Sequence, residues 1–435
     1  MSDLSLSRAR PLSGEIRLPG DKSLSHRAAL FAAMAEGESV IDRFLVSGVT
    51  RAMLGALTAF QVPWRLEGER LTVTGKGLRG FAPPAAPVNC GNSATTLRLL
   101  AGALAAAGTP CVLDGSAGLR RRPMDRITKP LMAMRAPVTA TRDCAPLTLA
   151  ARAADTPLCA IDYAQPVASA QVKSCLILAA LAADGVTTLR EPGPSRDHTE
   201  RMLAAMGAGI RVGQDGAVTV APLTRPLAPL EVTLPGDISS AAFLLVAAAI
   251  IPGSAIVVRD VGVNPTRTGI VDMLAKMGAE VSVENPRTIA GEPVGDIRLA
   301  SAGLKAIKVS GDTVVRMIDE FPAFAIAACF AKGTTEVRDA SELRYKETDR
   351  ITVLCRELRK LGVVLDEHED GFAIQGGTLS GGVCDASGDH RLAMALALSG
   401  LAAPAKVTVQ NAEILAESFP DFVVQVARLI EGLVI

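Results

Sequence analysis

The chain has 435 residues, too many for one ordinary core, so two or three domains are expected. Its 45 basic and 45 acidic side chains balance, and aromatics make up only 3 %, which argues against nucleic acid and anionic membrane as partners. The eight Cys form no Cys-x-x-Cys pair and there are only four His, which argues against a zinc site or a disulfide framework and for a reduced cytoplasm.

The chain opens Met-Ser-Asp-Leu-Ser-Leu-Ser-Arg, with no apolar signal core. Two short strands are expected, at Ser5-Leu6 and Gly14-Glu15-Ile16-Arg17. Leu18-Pro19-Gly20-Asp21-Lys22-Ser23-Leu24-Ser25-His26-Arg27 then packs a turn, two cations and two hydroxyls before an apolar run. Residues 27–37 read as a small-residue helix ending at a Gly37 cap. A strand at Ser39-Val40-Ile41 follows, then a helix from Thr50-Arg51, a strand near 61–65 and a hairpin at Gly68-Glu69-Arg70.

This grammar recurs with a period of about 70–80 residues. Ala-rich helices end at Gly37, Gly108, Gly185, Gly253, Gly333 and Ala403-Pro404, each followed by a short strand. Second helices start at Thr50-Arg51, Asp125-Arg126, Glu200-Arg201, Thr266-Arg267, Asp349-Arg350 and Pro420-Asp421. The uncharged run Ala241 to Val258 is divided by Pro252-Gly253 and reads as buried helix, turn and buried strand rather than a membrane span. The sixth unit stops at a helix, Val423 to Val434, and its missing strands are expected from the N-terminus.

Leu234-Pro235-Gly236-Asp237-Ile238-Ser239 repeats the opening motif 216 positions on, without its charges. The same offset relates Thr50-Arg51 to Thr266-Arg267. Six units thus split three and three, with the chain crossing between halves near 18–22 and 234–238. The expected domains are 21–235 and a discontinuous 1–20 plus 236–435, joined by that two-strand hinge. The small residues in the apolar helices suggest helices buried inside each half with sheets around them.

Charged and hydroxyl residues gather at helix entries. Lys22, Ser23 and Arg27 lie where uncapped N–H groups favour an anion. Gly91-Asn92-Ser93-Ala94-Thr95-Thr96-Leu97-Arg98 follows a Pro-rich loop and permits close backbone approach. Leu119 to Arg126 concentrates four cations, with Pro123 placed as a first-turn residue. Ser169-Ala170-Gln171-Val172-Lys173-Ser174 opens a third apolar helix, and Ser195-Arg196-Asp197-His198 adds a cation; His198 itself reads as a surface residue. Met317-Ile318-Asp319-Glu320-Phe321-Pro322, Arg344 to Arg350 and Asp389-His390-Arg391 bring carboxylates and further cations. Each alone fits a helix cap or a local ion pair. Jointly, if the units are parallel copies, they suggest a cationic cleft with a few carboxylates, suited to proton transfer on a polyanionic small molecule.

These motifs, with Arg121-Arg122-Pro123-Met124, Arg344-x-Lys346-Glu347-x-Asp349-Arg350 and Ser418-Phe419-Pro420-Asp421, run from end to end of the chain. In them it closely resembles the enolpyruvyl transferase family, specifically the 5-enolpyruvylshikimate 3-phosphate synthases. The resemblance implies an α/β fold of two similar domains, each of three βαβαββ-type units with buried helices and outer sheets, an inside-out barrel.

It also implies transfer of the enolpyruvyl group of phosphoenolpyruvate to the 5-hydroxyl of shikimate 3-phosphate through a tetrahedral adduct. Neither metal nor organic cofactor is implied. By motif match, Asp319 would be the base at the 5-hydroxyl, Glu347 would handle protons at the phosphoenolpyruvate methylene, and Lys22 would touch both substrates. Shikimate 3-phosphate would be held by Lys22, Ser23, Arg27, Ser169, Ala170, Gln171, Arg196, Asp319 and Lys346. Phosphoenolpyruvate would be held by Lys22, Arg122, Gln171, Arg350, Arg391 and the backbone at Ala94. The protein is expected to act as a cytoplasmic monomer on these small molecules, without nucleic acid or membrane.

Two positions depart from the family pattern. Ala94 stands where many members have Gly, which implies reduced sensitivity to glyphosate. Glu417 stands where many have Lys, which puts a phosphoenolpyruvate contact there in doubt. The nearest rival is the UDP-N-acetylglucosamine enolpyruvyl transferases, which have Asn after the first Lys and a catalytic Cys in the loop matching 112–122. Here Ser23 follows Lys22 and that loop has no Cys. An inactive scaffold domain is a further alternative, against which Lys22, Asp319 and Glu347 argue.

Overall fold

The computed structural model describes residues 2–432. They form two compact bodies, one of residues 20–234 with Thr288–Glu292, the other of residues 2–19, 235–287 and 293–432. Each has its own apolar core.

The 20–234 body is organised on three helices with almost no exposed face: Lys22–Met34, Ala94–Ala107 and Ala170–Ala180. Their Ala, Gly and Ser content lets backbones approach closely. At Gly102 a Cβ would lie 2.1 Å from the Cys175 carbonyl oxygen, so the second and third helices fit only with glycine there. Each is followed by an amphipathic helix that buries one stripe: Gly48–Ala59, Asp125–Ala133 and His198–Ala205. In the first of these Met53, Leu54, Ala56 and Leu57 are buried while Arg51 is exposed.

The 235–432 body repeats the plan. Buried helices Ile238–Ile250, Phe321–Cys329 and His390–Ser399 alternate with amphipathic Gly269–Lys276, Arg350–Lys360 and Phe422–Glu431. Among the described residues no helix is long and apolar enough to cross a membrane. The 241–258 run is helix, turn and strand as its Pro-Gly break implies.

Among the described residues six sheets complete the repeats, five of four strands and one of three. In the first, Glu231–Thr233 runs parallel to Glu36–Asp42, which pairs antiparallel with Arg70–Lys76, and that with Trp64–Glu67. Leu71 and Val73 point inward and alternate with solvent-facing neighbours, the period-2 pattern of a half-buried strand. The other four-stranded sheets keep this order.

Several expectations are corrected. Leu4–Leu6 does complete the last sheet, pairing with Val407–Gln410. Ser13–Arg17 does not: it runs parallel to Ala255–Gly262 and starts the fourth repeat's sheet. It is the counterpart of Glu231–Thr233, so each strand before a Leu-Pro-Gly-Asp motif serves as a parallel edge strand. Gly37 is not a helix cap. Ala35 caps the helix and Gly37 sits inside strand Glu36–Asp42 at φ +114°. Gly185, Gly253, Gly333 and Ala403-Pro404 likewise fall in turns or bends several residues past their helices. Pro123 lies two residues before helix Asp125–Ala133 and takes no first-turn position. The second helices of the first, third and fourth repeats start at Gly48, His198 and Gly269, not at Thr50, Glu200 and Thr266. The last helix is Phe422–Glu431; Leu433 and Val434 of the expected span, like Met1, lie outside the described residues.

Candidate active site

In the 20–234 body the expected residues sit at helix starts that hydrogen-bond to one another. Asp21 caps helix Lys22–Met34, its carboxylate accepting from the Leu24 N–H at 2.9 Å. This fixes Lys22 and Ser23 in the first turn, both partly exposed. Arg27, one turn on, is 2 % exposed. Its guanidinium donates to Thr199 Oγ1 (2.8 Å), Ser174 Oγ (2.8 Å) and the Ser23 carbonyl (3.1 Å). Burial pushes its pKa down to about 10, against the pull of Glu200.

His26 was not singled out in the sequence. It is fully buried, with Nδ1 2.7 Å from the Lys22 carbonyl and Nε2 3.3 Å from Ser93 Oγ. Ser93 in turn caps helix Ala94–Ala107. The imidazole therefore joins the Lys22 turn to the Ala94 helix start. Desolvation pushes its pKa down to about 4, so it is neutral at pH 7. Ala94 is 2 % exposed and part of the core.

Gln171 is held from two sides: Arg98 Nη1 donates to its Oε1 at 2.6 Å, and its own Nε2 donates to Thr95 Oγ1 at 2.9 Å. Arg98 also donates to the Pro123 carbonyl at 2.8 Å, which ties the partly exposed Arg122 loop to Gln171. Arg98 is thus a second residue whose part the sequence did not single out. Ser169 is the N-cap of helix Ala170–Ala180 but makes no side-chain cap bond. Arg196 is partly exposed at the entry of helix His198–Ala205. His198 is not at the surface, correcting the expectation: it is buried, with Nδ1 2.8 Å from Glu292 Oε1.

In the 235–432 body five expected residues converge. Asp319 precedes helix Phe321–Cys329, and its carboxylate lies 3.3 Å from Lys346 Nζ, 3.4 Å from Arg350 Nη1 and 3.9 Å from Arg391 Nη2. Arg350 Nη2 also binds Glu347 Oε2 at 2.6 Å. Asp389, unassigned in the sequence, completes the cluster. It caps helix His390–Ser399 through the Arg391 and Leu392 N–H groups and takes Arg350 Nε at 2.7 Å. Burial opposes the charge on Arg350, but Asp389, Glu347 and Asp319 raise its pKa above the ordinary guanidinium value. Three cations thus face three carboxylates, with Asp319 and Glu347 still 16 % exposed at their side chains. Such a cluster can hold an anion and offers two carboxylates for proton transfer. Glu417 ends the short 3-10 segment Ala412–Glu417.

The second Leu-Pro-Gly-Asp copy differs in kind. Asp237 again caps its helix, but Ser239 donates to Glu320, and buried Arg267 binds both Asp237 (3.2 Å) and Ser239 (2.8 Å). The helix start that carries Lys22 and Ser23 in the first copy here takes a carboxylate of the protein itself.

Comparison with known proteins agrees along the chain. The family model for EPSP synthase (3-phosphoshikimate 1-carboxyvinyltransferase) matches residues 6–426. A 3-phosphoshikimate 1-carboxyvinyltransferase of Geobacter sulfurreducens is 47 % identical over 425 residues, 97 % of this chain and 98 % of that protein. One from Parasynechococcus marenigrum is 47 % identical over 421 residues, 94 % of each chain. A solved structure of EPSP synthase from Acinetobacter baumannii superposes with a TM-score of 0.87 at 39 % identity, covering 99 % of this chain and 98 % of that one.

Proposed function

The chain belongs to the EPSP synthase (3-phosphoshikimate 1-carboxyvinyltransferase) family, and we infer that it transfers the enolpyruvyl group of phosphoenolpyruvate to the 5-hydroxyl of shikimate 3-phosphate. The hydroxyl oxygen bonds to C2 of phosphoenolpyruvate while C3 gains a proton. The tetrahedral adduct then loses phosphate from C2 and a proton from C3, leaving the enolpyruvyl ether. The product feeds aromatic amino-acid biosynthesis.

The observation that carries the residue assignment is the Asp319 carboxylate among Lys346, Arg350 and Arg391, with Glu347 on the same Arg350. In this reading Asp319 takes the 5-hydroxyl proton and Glu347 exchanges the C3 proton. Asp319 must be ionised to accept the hydroxyl proton, whereas Glu347 gives its proton to C3 in the addition and takes one back from C3 as phosphate leaves. Arg350 and Arg391, with Arg122 and Lys22, hold the carboxylate and phosphate of phosphoenolpyruvate, a task suited to guanidinium forks. Gln171 and the Ala94 N–H at its helix start complete that set. Lys22, Ser23, Ser169, Ala170, Gln171, Arg196 and Lys346 hold shikimate 3-phosphate, with Arg27 acting from its buried place behind Ser23.

Support against the UDP-N-acetylglucosamine reading comes from Cys111. The thiol nearest loop 112–122 opens strand Cys111–Asp114, and burial pushes its pKa up to about 12, unsuited to a nucleophile. The eight cysteines are all free thiols, which supports a cytoplasmic setting. We take the monomer as the working unit. Purified protein given phosphoenolpyruvate and either acceptor should release phosphate with shikimate 3-phosphate only. Release with UDP-N-acetylglucosamine alone would overturn this reading.

A further inference from the structure

Lys173 lies one turn into helix Ala170–Ala180, with its side chain 4 % exposed. Its ammonium is 2.7 Å from Glu191 Oε2, 2.8 Å from Glu200 Oε1 and 3.4 Å from the Ser195 carbonyl. A buried lysine is stable only with such partners. One cation thereby joins a helix start, the residue after strand Thr187–Arg190 and helix His198–Ala205.

Glu191 does more than neutralise it. Its Oε1 accepts the Ser169 N–H at 3.0 Å, and its Oε2 accepts the Ser195 hydroxyl at 2.8 Å. Ser169 begins the Ser-Ala-Gln helix start, and Ser195 immediately precedes Arg196. One carboxylate therefore fixes the spacing of two segments that approach from different elements. Because the Ser169 N–H is turned to Glu191 and its hydroxyl makes no cap bond, the hydroxyl is not committed to the helix.

Resting on the proposed function, we propose that Glu191, locked by Lys173, is a positioning residue for the acceptor. It holds Ser169 and Arg196 at the separation that grips the phosphate of shikimate 3-phosphate, without touching the substrate. The effect falls on acceptor affinity rather than on phosphoenolpyruvate or the chemical step. Gln at this position keeps the shape but cannot pair with Lys173 while accepting from both Ser169 and Ser195.

The test compares wild type with Glu191→Gln by calorimetric titration of shikimate 3-phosphate and by steady-state kinetics. Shikimate 3-phosphate should bind about tenfold more weakly, as expected for lost charge-assisted hydrogen bonds, while kcat and the phosphoenolpyruvate KM stay within about twofold. Unchanged acceptor affinity, or a loss shared equally by both substrates, overturns the proposal. If Glu191→Gln does not melt cooperatively, Ser195→Ala decides: it removes one donor to Glu191 and should weaken acceptor binding about threefold. No weakening in that variant overturns the proposal as well. A wild type that neither binds shikimate 3-phosphate nor releases phosphate would overturn the function itself; an active wild type with an unaffected variant overturns only the positioning role.

Discussion

Arg350 Nε donates to Asp389 Oδ2 at 2.7 Å, with the two side chains 2 % and 0 % exposed. The same guanidinium reaches Glu347 and Asp319. A residue expected to bind substrate is therefore also the centre of a buried ionic network. Arg350→Met should leave Asp389 buried without its cation, which costs about 3–5 kcal/mol. Denaturant unfolding should show that loss together with a raised phosphoenolpyruvate KM; a variant as stable as wild type would mean that Asp389 finds compensation elsewhere.

His26 predicts a pH dependence of stability. Burial holds its folded pKa near 4, below the ordinary 6.5. Its neutral-state contribution is therefore complete above about pH 6.5 and is lost as pH falls toward about 4, because the unfolded chain takes up the proton first. The size is about 3 kcal/mol over that window. Wild type should lose stability more steeply than His26→Gln between pH 6.5 and 4.5. Parallel profiles would show that the imidazole is protonated in the fold.

Ala94 supplies a methyl at the first position of its helix. We propose reduced glyphosate sensitivity from it. Ala94→Gly should lower the glyphosate inhibition constant about tenfold, the scale of one methyl group in a tight site. No change, with phosphoenolpyruvate kinetics intact, would dissociate the methyl from inhibitor discrimination.

Much of the architecture was legible because it repeats. Ala-rich helices, the amphipathic helices that follow them and the 216-residue offset recur, and periodicity reports elements that bury the same face each time. The misplaced strand Ser13–Arg17 shows the limit: pairing partners distant in sequence leave no local trace, and the N-terminus offered two open edges. Residues proposed to act directly on anions stood out as cations and hydroxyls at helix starts. Those that hold them did not. His26 and Arg98 are buried within helices, where a polar side chain reads as an exception in an apolar run. Asp389 read as a cap, which it is, but its second task on Arg350 depends on a contact 39 residues away. Glu292 opens strand Glu292–Ala300, remote from His198 in sequence, so their pairing had no signal.

We propose Asp319, held by Lys346, Arg350 and Arg391, as the base of the enolpyruvyl transfer. The most direct measurement follows phosphate release and enolpyruvyl-ether formation from shikimate 3-phosphate and phosphoenolpyruvate by wild type and Asp319→Asn. Wild type should give stoichiometric phosphate and ether, and the variant should melt cooperatively but turn over about 10²–10⁴-fold more slowly. Near-wild-type turnover by Asp319→Asn would contradict it.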